Sequence, residues 1–365
     1  MNARQIILAL VFFLPFFVFP FGTSFFEIPK VIGVEVGVEA LLLVSLFSNH
    51  LKKLKSWVVL PFILLFLLTF STLIINPDFK LFFGNIFRLQ GVFLVWHLIV
   101  FAILSSQINV MKLNGFFYFL FLSMLLTLAL IGFIFGATLN GRAVGTLGEP
   151  NSLAAVAIFF FTCVFFRNRW KYWIVSLIVC LELILLSGSR SGLFAFFVTI
   201  IYIILSQNLL LEVKKTSIIG FLLIVASLSF PFIEGGGWFE NRAEIWQTAY
   251  HAGWSSPIYG NGFGNVQSSL AKSAKQLNNN VQYQIVDSSH NIFLDFWVQG
   301  GILGVLLFLW ILIISVYHFL ASDNRFMLAL LIGLIYALCF NPLSVAVLVM
   351  FWYVLGQGLF KPSET

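Results

Sequence analysis

The segment Asp287-Ser288-Ser289-His290-Asn291-Ile292-Phe293-Leu294 decides how this chain is read, because a polar stretch ends in it and an apolar one begins. Residues 234–289 are the only long polar stretch in a sequence that is 60% hydrophobic, with 9% charged residues and 45 Phe among 365 residues. A soluble domain of that composition has too few polar side chains to cover its surface, so the chain reads as an integral membrane protein. His290 then stands where a long loop re-enters the membrane.

A spanning helix needs about 20 mostly apolar residues. Apolar runs near 5–22, 31–48, 57–75, 89–105, 115–136, 152–166, 170–187, 191–206, 216–233, 290–317, 326–340 and 342–360 predict an all-α polytopic bundle of about 12 spans. The whole chain, 1–365, reads as a single membrane domain with 234–289 as the loop between spans 9 and 10. The first run follows Arg4 but is long, Phe-rich and without a small-residue cleavage site, so it reads as an uncleaved span. An N-terminus inside puts Arg4, Lys52, Lys53, Lys55, Lys112, Arg167, Arg169, Lys171, Lys214, Lys215, Arg325 and Lys361 on the cytoplasmic side. Both termini then lie inside and the long loop outside.

The outer side keeps Arg88, Arg142, Arg190 and Arg242, each close to a membrane boundary. A guanidinium fork matches phosphate oxygens in pairs, which an ammonium does not. Snorkelling, or pairing with Glu27, Asp78, Glu149 or Glu240, is the bland alternative for any one of them. In Gly141-Arg142-Ala143-Val144-Gly145-Thr146-Leu147-Gly148-Glu149-Pro150-Asn151-Ser152, a glycine-rich turn leads into a helix that Asn151 or Ser152 is able to cap, and such helix starts suit anions. In Ser187-Gly188-Ser189-Arg190-Ser191-Gly192 two spans meet with no room for a loop, so Arg190 is expected at the mouth of the bundle.

Within the long loop, the order from Asn241 to Trp254 predicts an interfacial helix with Arg242 in its first turn and Ile245, Trp246, Ala249 and Tyr250 on one face. Pro257-Ile258-Tyr259-Gly260-Asn261-Gly262-Phe263-Gly264 reads as a turn. Ser268–Leu277 predicts a second short helix with Leu270, Ala271, Ala274 and Leu277 inward and Lys272 and Lys275 outward. Of five histidines, His50 and His318 fall at inner ends, His97 reads as a packing residue within a span, and His251 lies on the first loop helix. His290 is the outlier, placed for proton transfer at an interface near neutral pH. Glu35 and Glu39 share a face of the second span and are expected to pair with an outer arginine, as is Asp295; Glu182 sits mid-helix.

In combination these segments resemble the O-antigen ligase and polymerase superfamily of bacterial envelope glycosyltransferases. The likeness rests on Gly141-Arg142 through Ala154, on 187–192, on Arg242–Trp246 with Pro257 and Gly260–Gly264, and on His290-Asn291 with Gly300–Gly304. It spans roughly residues 140–305; the first 140 match in hydropathy alone. The resemblance implies a multi-pass inner-membrane enzyme that takes a glycan from undecaprenyl diphosphate on the periplasmic face and gives it to lipid A core or another saccharide hydroxyl. It implies Arg190, Arg242 and His290 as the essential set, with Arg142, Arg88, Asn151 and Asn291 as further substrate-binding positions. No metal or other cofactor and no nucleic acid is expected: His-Glu-x-x-His and Cys-x-x-Cys spacings are lacking, and Cys163, Cys180 and Cys339 are scattered.

Other classes fit less well. A polytopic transporter of lipid-linked glycan would show internal repeats and a midplane site, whereas here no repeat is evident and the informative residues cluster at one face. The shape-determining and cell-division peptidoglycan polymerases are similar in size but are a weaker match to the arginine and His-Asn segments. Ligase, polymerase and protein-directed transferase within the superfamily are harder to separate, and the His-Asn and arginine set stands nearest to the ligase pattern.

Overall fold

The computed structural model describes residues 2–20, 24–48, 54–75, 77–167, 172–207, 212–228, 242–279, 286–342 and 344–359. Lys52, Lys53, Arg169, Lys171, Lys361, His50, Glu240 and the loop stretches 229–241 and 280–285 lie outside the described residues. Among the described residues, the regular elements are helical apart from one two-residue hairpin, β1 (Thr138–Leu139) with β2 (Arg142–Ala143).

The chain runs back and forth between two ends of a bundle. It passes through α1 (Ala3–Leu8) with a π- and 3-10-helical continuation to Phe16, then α2 (Glu27–Phe47), α3 (Ser56–Ile75), the short α4 (Phe79–Phe83), α5 (Val92–Ser105) and α6 (Gly115–Ile134). It continues through α7 (Pro150–Arg167), α8 (Trp173–Ser187), α9 (Arg190–Gln207), α10 (Val213–Leu228), α11 (Arg242–Trp254), α12 (Val266–Gln276), α13 (Ile292–Ala321), α14 (Arg325–Phe340) and α15 (Val345–Gln357). Among the described residues, five helices, α3, α6, α7, α9 and α13, are long and apolar enough to cross a membrane. Shorter apolar helices lie at Ala3–Phe16, α5, α8, α14 and α15.

Burial sorts these helices into a core and a rim. Every residue of α14 from Phe326 to Phe340 is buried, and α7 and α15 are nearly as enclosed. That is why they are apolar all round rather than striped. On the rim the apolar side chains point outward instead: Leu185, Ile204, Val225 and Ile313 are 62–72% exposed. A surface of this kind is unstable against water and suits hydrocarbon.

The polar expectations within the spans are partly revised. Glu39 meets His97 at 3.5 Å, and neither Glu35 nor Glu39 makes an ion pair with an arginine among the described residues. Both lie more than two turns along α2 from Glu27, the α2 residue close enough to feel the Arg88 charge. His97 is satisfied as expected, its Nδ1 2.7 Å from the Phe93 carbonyl. Glu182 is exposed on α8.

The span expected from 290 to 317 starts at Ile292 and is broken. Gly301 leaves helical geometry at φ 59° and ψ −154°, which frees backbone groups on either side. The stretch 257–262 supplies their partners: Ile302 N–H donates to Pro257 O at 2.8 Å, and Asn261 and Gly262 N–H groups donate to Val298 O and Gln299 O at 2.8 and 3.0 Å. Two glycines make this approach possible. A Cβ on Gly260 would lie 2.2 Å from the Gln299 carbonyl, and one on Gly301 would lie 2.6 Å from that of Ile258. The strap thus fastens α11 and α12 to α13, helped by Trp297 Nε1–H donating to Tyr250 O at 3.0 Å.

The loop helices form close to where the sequence predicts. Ile245, Trp246 and Ala249 are buried, as are Leu270 and Ala274, and Lys272 and Lys275 point outward. Tyr250 and Leu277 differ from expectation and are exposed, 56% and 44%. Tyr250 falls at the edge of the buried stripe, beside Trp254 and Trp297, and Leu277 follows the helix end. Gly301→Ala is expected to destabilise the protein by about 1–3 kcal/mol from backbone strain alone, with more from the overlap. The readout is the thermal unfolding midpoint in detergent; an unchanged midpoint would mean the strap is dispensable.

Candidate functional site

Arg242 and His290 come from the two sides of the strap and meet. Burial of Ile245, Trp246 and Ala249 draws the first turn of α11 inward, leaving Arg242 only 5% exposed. His290 has φ 58°, a left-handed conformation that costs a non-glycine residue energy and is held by its neighbours. Its N–H donates to Ser288 Oγ at 3.1 Å; Ser289 Oγ–H donates to the Asn291 carbonyl at 2.8 Å; Ser289 N–H donates to Asp295 Oδ1 at 2.8 Å. Asn291 Oδ1 then accepts the N–H groups of Phe293 and Leu294, capping α13. Asp295, expected to pair with an arginine, therefore anchors the histidine turn instead.

Arg242 Nη1 lies 3.3 Å from His290 Nδ1. A guanidinium can only donate, so Nδ1 accepts and the neutral ring carries its proton on Nε2. Burial, then the charges of Arg242 and Arg88, push the imidazole well below its usual range. At neutral pH the pair is therefore one cation and one neutral ring, with the Nδ1 lone pair covered by Arg242.

A second cluster joins α7, α8 and α9. Gly188 ends α8 in a left-handed cap at φ 55°, and Ser189 Oγ accepts Gly192 N–H at 3.0 Å to start α9. Stop and start thus fit into two residues, and Arg190 stands exposed at the first position of α9. Arg142 donates through Nε to the Ser187 carbonyl at 2.8 Å and through Nη2 to Asn151 Oδ1 at 2.9 Å; Ser189 Oγ–H reaches the same oxygen at 2.7 Å. Asn151 thus orients Arg142. Ser191 Oγ–H continues the chain to Asn341 Oδ1 at 2.7 Å, a residue that sequence reasoning missed; its signal was an Asn-Pro pair directly after an apolar run.

Arg88 is placed differently. Left-handed Gly84 and Leu89 fold the 84–91 loop on itself, and Arg88 forms ion pairs with Glu149 and Asp287. Burial opposes its charge, but Glu149 and then Asp287 more than offset that, so its proton is held more tightly than usual. Expected as a phosphate ligand, Arg88 here ties the α7 turn to the segment before His290. Close by, buried Lys30 donates to the Phe26 and Thr146 carbonyls, each at 2.7 Å, and Glu27 accepts from Ser344 Oγ–H and Val345 N–H at 3.0 and 3.1 Å, capping α15. Lys30 was also missed, although one lysine near the start of an apolar run was the available sign. Among the described residues, no three His, Cys, Asp or Glu side chains come together as a metal site.

The two kinds of arginine predict separable defects. Arg88→Ala leaves two carboxylates facing each other in a largely buried place and should cost about 3–5 kcal/mol, seen as a lower unfolding midpoint and reduced yield. Arg190→Ala should leave that midpoint within about 0.5 kcal/mol of wild type, as exposed positions do. Equal midpoints for the two variants would remove the distinction.

Compared with known proteins, residues 175–309 match the family model described as O-antigen ligase. No curated protein matches the chain. The matched stretch contains Arg190, Arg242, His290 and Asn291, while Arg88, Arg142 and Asn151 lie before it. The segment from α8 into α13, which builds the Arg242–His290 pair, thus falls within the O-antigen ligase and polymerase superfamily.

Proposed function

We propose that the protein transfers a glycan from undecaprenyl diphosphate to an acceptor hydroxyl at the periplasmic face of the bacterial inner membrane, with lipid A core oligosaccharide as the acceptor. The observation that carries this reading is the Arg242–His290 contact inside the segment matching O-antigen ligase, with Arg190 at the same end of the bundle.

The chemistry follows from charge. As the acceptor oxygen attacks the anomeric carbon and the bond to the diphosphate breaks, negative charge grows on the leaving phosphate. Arg190 and Arg242 stabilise it, with no metal taking part. Drawing Arg242 toward the diphosphate uncovers His290 Nδ1, which accepts the hydroxyl proton. Attack from the face opposite the departing diphosphate inverts the anomeric centre. Each positioned cation contributes on the order of 3 kcal/mol to the barrier, as an oxyanion-hole donor does.

The test uses purified protein in lipid, given undecaprenyl-diphosphate glycan with or without lipid A core, and products resolved on a gel. Glycosylated core with wild type is expected, falling about 100-fold or more in Arg190→Ala and His290→Ala. Chains lengthening from donor alone would make the enzyme a repeat-unit polymerase, and no product in either arm would contradict glycan transfer. The pH profile gives a second check. Because burial, then the charges of Arg242 and Arg88, lower the imidazole's proton affinity, kcat/KM should fall only well below pH 6.5. In Arg242→Gln the residual activity should lose its acid limb at higher pH than wild type. An acid limb at the same pH in both would argue against Arg242 governing that proton.

A further inference from the structure

Beside the histidine turn lies a cleft. Arg88, Asp287, Ser288, Asp295 and Gln299 contribute its polar wall, and Leu98, Phe263, Phe296 and Trp352 its apolar wall.

Asp295 sets the chemistry of this cleft. The residue is 1% exposed, and Oδ1 accepts the Ser289 N–H. Among the described residues, Oδ2 has no hydrogen-bond partner. The single hydroxyl proton of Ser289 goes to the Asn291 carbonyl, and the Gln299 amide nitrogen to the Asp295 carbonyl at 3.2 Å. A buried carboxyl oxygen without a donor is unfavourable, and a hydrocarbon chain in the cleft that Asp295 lines would not relieve it. A ligand hydroxyl does. Aromatic side chains opposite suit the C–H faces of a sugar ring.

We infer that this cleft is a saccharide subsite in which Asp295 Oδ2 accepts a sugar hydroxyl while Oδ1 holds the turn that carries His290. The inference rests on the glycan-transfer reading above and adds to it where one sugar of the reaction sits. The same hydroxyl chemistry is offered by the acceptor or by the glycan of the donor. Because Ser288 lines the cleft and also accepts the His290 N–H, the cleft wall includes a residue two positions from the proposed base.

Asp295→Asn tests this while keeping an oxygen for the Ser289 N–H. Leu98→Phe fills the apolar wall without touching the turn. The expected result is a KM for one saccharide substrate raised about ten-fold or more in both variants, the size of a lost hydrogen bond to a charged group, with kcat changed less. A raised acceptor KM assigns the subsite to the acceptor, and a raised donor KM assigns it to the donor glycan. Unchanged KM values for both substrates in both variants would overturn the inference, as would a fall in kcat alone, which is the signature of a structural role. Binding of free core oligosaccharide and of free repeat-unit oligosaccharide, followed by ligand-observed NMR, separates this from the activity claim. Binding of one of them to wild type, lost in Asp295→Asn, supports the subsite even without turnover. Failure of wild type to bind either refutes the subsite whether or not glycan is transferred.

Discussion

The break in α13 at Gly301, filled by the backbone of 257–262, is the constraint on which the polar end of this protein depends. An unbroken apolar helix has no spare backbone donors or acceptors and cannot anchor a polar loop. Opening one turn creates them, and the strap takes them up. Covalent continuity then brings α11 on one side of the strap and α12 on the other against the first half of α13. Arg242 at the start of α11 and His290 just before α13 meet because their helices are fixed to each other through this joint, not because either is near the other in sequence.

Electrostatics divides the arginines at that end into two groups. Arg88 lies between Glu149 and Asp287, so its charge is balanced within the protein and serves to hold loops together. Arg242 contacts a neutral imidazole, and the acceptors of Arg142 described here are a carbonyl and an amide oxygen. In the proposed mechanism the pairing with His290 makes base and cation interdependent: the group proposed to bind the leaving diphosphate is the one that covers the proposed base.

Much of this was legible in the sequence where local rules decide the outcome. The apolar runs, the helix stop and start around Arg190, the helix from Arg242 and the end of the polar loop at His290 each follow from composition, capping or periodicity over a few residues. Partners brought together over long separations were not legible. Arg88 finds Asp287 from 199 positions away, and nothing in either local sequence announces it. The Gly300-Gly301 and 257–264 motifs were both visible, but their joint role needs the backbone of one to enter the other. Asp295 was read as a charge in search of an arginine, because one-dimensional reasoning cannot see that a backbone N–H six residues earlier is the nearer donor. Glu39 was misassigned for a similar reason: its distance along α2 put it beside His97 rather than at the arginine end.

The most direct measurement is an electron cryo-microscopy map of the protein in nanodiscs with undecaprenyl diphosphate bound. The account predicts diphosphate density between Arg190 and Arg242, with the Arg242 guanidinium moved off His290 Nδ1 and the Arg88 ion pairs unchanged. Diphosphate density held by Arg88, or at the opposite end of the bundle near Arg167 and Arg325, would contradict it.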